Sequence, residues 1–203
     1  IEKNANNVNL INNNNIHEYI TNFPFDWNDN RFSNQFKNEY LKYYLLYNYG
    51  GIWLKPETIL FKNIYKVTKN LDKYEILTYN HNILGSQKKS QKIKLILDKL
   101  SETCQSHISS YNFSSTIHII IQKIEKNNKA YNLDNKITGF TDFNNNKITF
   151  KNFISDNNTK LSDDIIFIEL PDFEKYVTYK WFSRLSENQI LNSKLWFNYL
   201  EME

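Results

Sequence analysis

Lys55, Pro56 and Glu57 stand directly after the stretch "LLYNYGGIWL", so a cation and a carboxylate two residues apart fall where a short strand should end. A lysine there offers a fixed positive charge to an anionic group, and a glutamate offers hard oxygen atoms or a hydrogen-bond acceptor. The alternative is an exposed surface pair that interacts weakly. Glu39 and Lys42 lie three residues apart, upstream of the paired glycines Gly50 and Gly51. On a helix they share a side. Charges on so apolar a segment need a partner or a ligand, and the two candidates are each other or a bound molecule.

These side chains must be held by the elements around them. From Gln35 to Tyr49 the chain has helix length, with Phe36, Tyr40, Leu41, Tyr43, Tyr44, Leu45, Leu46 and Tyr47 spread around it, the pattern of a helix inside a protein. Gly50 suits the left-handed residue that ends a helix, and Gly51 lets the backbone turn into the strand "IWL". Strands are also expected at "VNLIN" (8–12), "TILF" (58–61), "EILTYN" (75–80), "KITF" (147–150) and "IIFIEL" (165–170). "FPFDWNDNRF" (23–32) reads as an irregular loop packed on the body. Amphipathic helices are expected with Ile93, Ile96, Leu97 and Leu100 on one face, and then with Ile117, Ile120, Ile121 and Ile124. Ser186 and Gln189 have capping-box spacing before a closing helix. Strands alternating with helices predict an α/β layered fold, and 203 residues suit one domain, 1–203.

Composition removes several classes of function. The net charge of +3 is built almost wholly from lysine, with arginine only at positions 31 and 184, which argues against nucleic acid as a partner. A single cysteine excludes an internal disulfide framework and a multi-cysteine metal site, and the four histidines are scattered without ligand spacing. Lys88, Lys89, Lys92 and Lys94 read as a solvated helix start. No apolar run reaches the length of about 18 residues that a membrane helix needs, so a soluble chain on the cytoplasmic side is expected.

Buried helix, Gly-Gly turn, short strand and charged strand end place polar groups where open α/β sheets bind ligands. The block "NEYLKYYLLYNYGGIWLKPETILFKNI" (38–64) resembles the DXD-type sugar-binding glycosyltransferases, most closely the capsular polysaccharide synthesis and mannosyltransferase-like proteins. More loosely, "HNILGSQKKSQKIKLILDKL" (81–100), "ITGFTDF" (137–143) and "YVTYKWFSRL" (176–185) are similar to later segments of the same family. The resemblance implies a GT-A-like fold of the nucleotide-diphospho-sugar transferase kind, with a central, mostly parallel sheet. It also implies a nucleotide-sugar donor, a glycan or protein acceptor and sugar transfer to a hydroxyl. Relatives carry a strand and helix before the one that matches "VNLIN", and this sequence is expected to lack that unit.

The departures from the family pattern shape the reading of the site. Lys55 and Glu57 stand where relatives hold Mn²⁺ or Mg²⁺ with two aspartates, Asn38 and Glu39 replace a Ser-Asp pair, Lys42 replaces an arginine, and Tyr179 and Lys180 replace paired histidines. No metal is therefore expected. By resemblance the catalytic candidates are Lys55, Glu57 and Lys180, and the substrate-binding candidates are Glu39, Lys42, Gly50, Gly51, Trp53, Thr138 and Gly139. Either Lys55 takes over the metal's charge in a metal-independent transferase, or catalysis is lost and the fold persists as a carbohydrate-binding or structural module.

Overall fold

The Ser33 hydroxyl accepts the Phe36 amide at 3.2 Å and so starts the longest helix of the chain. The computed structural model describes residues 8–55, 58–79, 82–105, 113–126, 130–149 and 160–169, together with 152, 184–186, 188–189 and 192. The chain divides into two compact units.

The larger unit takes in Asn7–Leu54 and Tyr65–Leu133. Its helices are α1 (Ile16–Tyr19), α2 (Asn34–Tyr49), α3 (Tyr65–Thr68), α4 (Gln91–Gln105) and α5 (Phe113–Lys126), and a 3₁₀ turn covers Lys69–Asp72. Its strands β1 (Gly51–Ile52), β3 (Ile76–Tyr79), β4 (Asn82–Ser86) and β5 (Ala130–Asn132) form one sheet in the order β1-β4-β3-β5. Phe36, Tyr40, Tyr43 and Leu46 of α2, Ile76 and Ile83 of the sheet, Ile93, Ile96, Leu97 and Leu100 of α4, and Ile117 and Ile121 of α5 bury one another in a single core. The apolar spacing read on the two amphipathic helices is therefore the core-facing stripe, with Ile120 half-buried beside it. The fourth residue of the second stripe, Ile124, lies outside the described side chains.

The sheet is mixed and not mostly parallel: β3 runs parallel to β5, whereas β1–β4 and β3–β4 are antiparallel. Only residues 80 and 81 separate β3 from β4, and so short a connection can join only antiparallel strands. The strand expected at Val8–Asn12 is absent. Asn12 and Asn15 tie that segment to itself, with the Asn12 amide donating to Asn15 Oδ1 at 2.8 Å and Asn15 Nδ2 donating to the Leu10 carbonyl at 2.8 Å. Val8 and Leu10 are exposed, so no buried face rewards an alternating strand there. The 23–32 loop packs as expected, its Phe23 and Phe25 rings set edge-on against Tyr40.

The second unit contains Lys55–Ile64 and the described residues from Asp134 onward. Its strands β2 (Thr58–Leu60) and β6 (Phe167–Glu169) pair antiparallel, placing Thr58 opposite Glu169 and Leu60 opposite Phe167. Ile148, Ile165 and Ile168 form its core, with Phe61 and Leu161 against them. "KITF" does not extend into a strand. Lys147 makes one isolated bridge to Thr141 across a turn in which the Asp142 carboxylate accepts the Asn146 amide at 2.8 Å. At the far end, the Ser186 amide donates to Gln189 Oε1 at 2.8 Å and the Gln189 amide to Ser186 Oγ at 3.3 Å, the reciprocal capping box expected there. The rest of that closing helix lies outside the described residues. Among them, no helix is long and apolar enough to cross a membrane.

Candidate functional site

α2 ends at Gly50, whose φ of 73° and ψ of −163° belong to a region open essentially to glycine alone, while its amide still donates to the Leu46 carbonyl. The expected positive φ is there, and the reason for glycine is steric as well. A Cβ on Gly50 would lie 2.7 Å from the Lys88 amide nitrogen and 3.2 Å from the Ser86 carbonyl oxygen. Lys88 belongs to the turn into α4, and that turn is fastened to the end of α2. The Lys89 amide donates to the Tyr47 carbonyl at 2.7 Å, and its Nζ donates to Asn48 Oδ1 at 2.8 Å while lying 4.4 Å from the Tyr47 ring centroid. The space at Gly50 is thus taken by the chain's own backbone. Gly51, at φ 91°, is exposed and a Cβ there would meet nothing within 4 Å. The Trp53 amide donates to Leu84 at 2.8 Å, and its half-buried side chain packs on the Ile16, Leu41 and Leu45 cluster.

Glu39 and Lys42 meet at Tyr43. Burial pushes the Tyr43 hydroxyl pKa well up, and the negative charge of Glu39 and the hydrogen bond to that carboxylate push it the same way. Lys42, itself buried, holds its ammonium 5.2 Å from the Tyr43 ring centroid. The two charges are therefore organised around one buried phenol of the same helix.

The remaining candidates lie in the second unit. The Lys55 carbonyl accepts the Thr58 amide at 3.0 Å, closing a turn, and Lys55 Nζ donates to Glu169 Oε2 at 3.1 Å. The Lys55 side chain is 52% exposed and that of Glu169 only 14%. Thr58, across the strand pair from Glu169, is buried, and its hydroxyl has no hydrogen-bond partner. Thr138 is also buried, but its hydroxyl donates to the carbonyls of Asp134 and Asn135 at 3.2 and 3.3 Å. Gly139 takes φ 71°, and a Cβ there would overlap the Ile168 side chain. Thr138 and Gly139 thus fix a turn on the core of their own unit. Glu57, Tyr179 and Lys180 lie outside the described residues.

The sequence reading missed Glu169, because nothing near position 169 signals that the β2–β6 register sets it beside Lys55. The residues at the family's metal position do not fit a divalent cation. An ammonium stands at the first of them and already engages the neighbouring carboxylate. Among the described residues, no group of three or more His, Cys, Asp or Glu side chains could hold a metal ion.

A second feature missed in the sequence is Glu75. Its carboxylate accepts the Ser90 hydroxyl at 2.6 Å and the Lys92 amide at 3.2 Å, so the start of α4 carries an internal anion. Burial raises the Glu75 pKa, but these hydrogen bonds and the Lys92 charge outweigh it and hold the carboxyl below its usual range. An open groove of about 470 Å³ runs beside it, lined by Lys73, Tyr74, Gln87 and Lys88 among others.

These elements define a mixed α/β protein with a charged cluster at the start of β2. Compared with known proteins, the chain matches no family model, no curated protein and no solved structure.

Proposed function

We propose that this chain is a glycosyltransferase-like domain of GT-A-like layout that has lost sugar transfer and serves as a carbohydrate-binding module. The observation that supports this reading is the engagement of Lys55 by Glu169 at 3.1 Å. Transfer from a nucleotide sugar leaves a diphosphate whose growing charge must be met by a cation already in place. At the position where relatives hold the metal, this chain has a lysine whose charge a fixed carboxylate already balances. A departing diphosphate would have to displace Glu169 and leave a largely buried carboxylate without its counter-ion. The test is incubation with UDP-glucose, UDP-N-acetylglucosamine and GDP-mannose, with and without Mn²⁺, followed by measurement of free nucleoside diphosphate. Binding of sugars without release supports the reading, and release in either condition refutes it.

One observation favours a second reading, a metal-independent transferase acting on a nucleotide-sugar donor and a glycan or protein acceptor. The Lys55 side chain is half exposed, so its ammonium has donors left for phosphate oxygens. Release of diphosphate without metal, lost in Lys55→Ala, would establish it.

A further inference from the structure

Thr58 carries a buried hydroxyl that bonds to nothing, an arrangement that native proteins seldom keep without a reason. It sits in a specific place. Thr58 is the cross-strand partner of Glu169, and directly opposed residues of an antiparallel pair project from the same face. Glu169 in turn holds Lys55 Nζ at 3.1 Å, and the Lys55 carbonyl closes the turn onto the Thr58 amide. Three polar groups of different character are thus gathered on one small patch: an ammonium, a carboxylate and a hydroxyl that can donate or accept.

We propose that Lys55, Glu169 and Thr58 form a subsite for a neutral polyhydroxylated ligand, a sugar residue that presents adjacent hydroxyls, and not for a diphosphate. This deepens the carbohydrate-binding reading and rests on it. The chemistry follows from what each group can still do. One hydroxyl of a vicinal diol can donate to the carboxylate while its neighbour accepts from the ammonium, so a diol settles on the pair without separating it. A third hydroxyl, or a water displaced toward the strand, would give Thr58 the partner it lacks. An anion has no such route. It would have to take Lys55 from Glu169, and the carboxylate, 14% exposed, would then be left without its compensating charge. The pair also sums to zero charge, which removes long-range attraction for a phosphate.

The experiment uses the full chain and saturation-transfer NMR with methyl α-glucoside, methyl α-galactoside, methyl α-mannoside and inositol, against inorganic pyrophosphate and UDP. At least one neutral compound should bind in the millimolar range, and pyrophosphate should not displace it. Glu169→Gln should weaken that binding about tenfold, a loss of one charge-assisted hydrogen bond. Thr58→Val is the decisive companion, because valine keeps the shape and removes the unbonded hydroxyl. It should raise the melting temperature and also weaken sugar binding. A raised melting temperature with unchanged binding would overturn the three-residue subsite. So would the failure of every neutral compound, or pyrophosphate binding more tightly than all of them in a Lys55-dependent way. Release of nucleoside diphosphate from a nucleotide sugar, with sugar binding still sensitive to Thr58→Val and Glu169→Gln, would refute the loss of catalysis and leave the subsite standing.

Discussion

Replacing Gly50 by alanine should destabilise the protein far more than the same change at Gly51, one residue on. At Gly50, φ 73° with ψ −163° is a conformation that a residue with a Cβ enters at a cost of about 1–3 kcal/mol. The new methyl would also lie 2.7 Å from the Lys88 nitrogen and 3.2 Å from both the Lys88 Cα and the Ser86 oxygen. Those are backbone atoms, held by the Lys89 amide on Tyr47, so they cannot rotate aside, and such overpacking adds about 1–3 kcal/mol. The sum is roughly 3–5 kcal/mol. At Gly51 the φ of 91° is unfavourable, yet a Cβ would meet nothing within 4 Å, which leaves about 1–2 kcal/mol. For a chain of this size the Gly50→Ala loss corresponds to a fall in melting temperature on the order of 10 °C. Urea unfolding followed by circular dichroism, with both variants side by side, measures the difference. Equal costs at the two positions would refute the claim that the Lys88 backbone dictates Gly50. A stable Gly50→Ala protein that had lost only sugar binding would assign the space to a ligand instead.

Ser90→Ala removes both the cap of α4 and a hydrogen bond to Glu75, and should cost about 1–2 kcal/mol in urea titrations at neutral pH. The folded Glu75 pKa is depressed, so the stability it contributes is present above its unfolded pKa and is lost as pH falls through the folded value. Ser90→Ala should reduce that acid-side loss, which urea midpoints taken from neutral to acid pH will reveal. Tyr43 behaves in the opposite sense. Its folded pKa is raised, so the stability linked to its neutral form is intact below the unfolded value near 10 and disappears as pH rises through the folded one. Tyr43→Phe should remove that alkaline-side loss at a cost of about 1 kcal/mol at pH 7, read by tyrosinate absorbance and urea unfolding together. Neither EDTA nor Mn²⁺ should move the melting temperature, and a rise with Mn²⁺ would contradict the fit argued at Lys55.

Much of the larger unit is legible in the sequence because its signals are local. The three long helices follow from apolar spacing, from Ser33 as a cap and from Gly50 as a stop, and each buries the face that its spacing names. Where the reading failed, a short-range alternative prevailed. The asparagines around residues 12–15 bond to their own backbone and leave "VNLIN" without a ladder, and the Asp142–Asn146 turn does the same before "KITF". The direction of the sheet was lost in a two-residue connection between β3 and β4. At the candidate site, Gly50 and Gly51 were legible as a turn, but the group that occupies the space beside Gly50 comes from Lys88, far along the chain. Glu169 is 114 residues from Lys55 and is brought to it only by strand register, a relation that no local pattern encodes. Glu75 and Ser90 meet for the same reason, across the hairpin that leads into α4.

The most direct test of the account is the release of nucleoside diphosphate from a panel of nucleotide sugars, measured with and without Mn²⁺ for the wild type and for Lys55→Ala. The account predicts no release in any of the four conditions, while neutral glycosides bind the wild type and lose affinity in Glu169→Gln. Metal-independent release by the wild type that disappears in Lys55→Ala would contradict it, because Lys55 would then be meeting the charge of a departing diphosphate instead of that of Glu169.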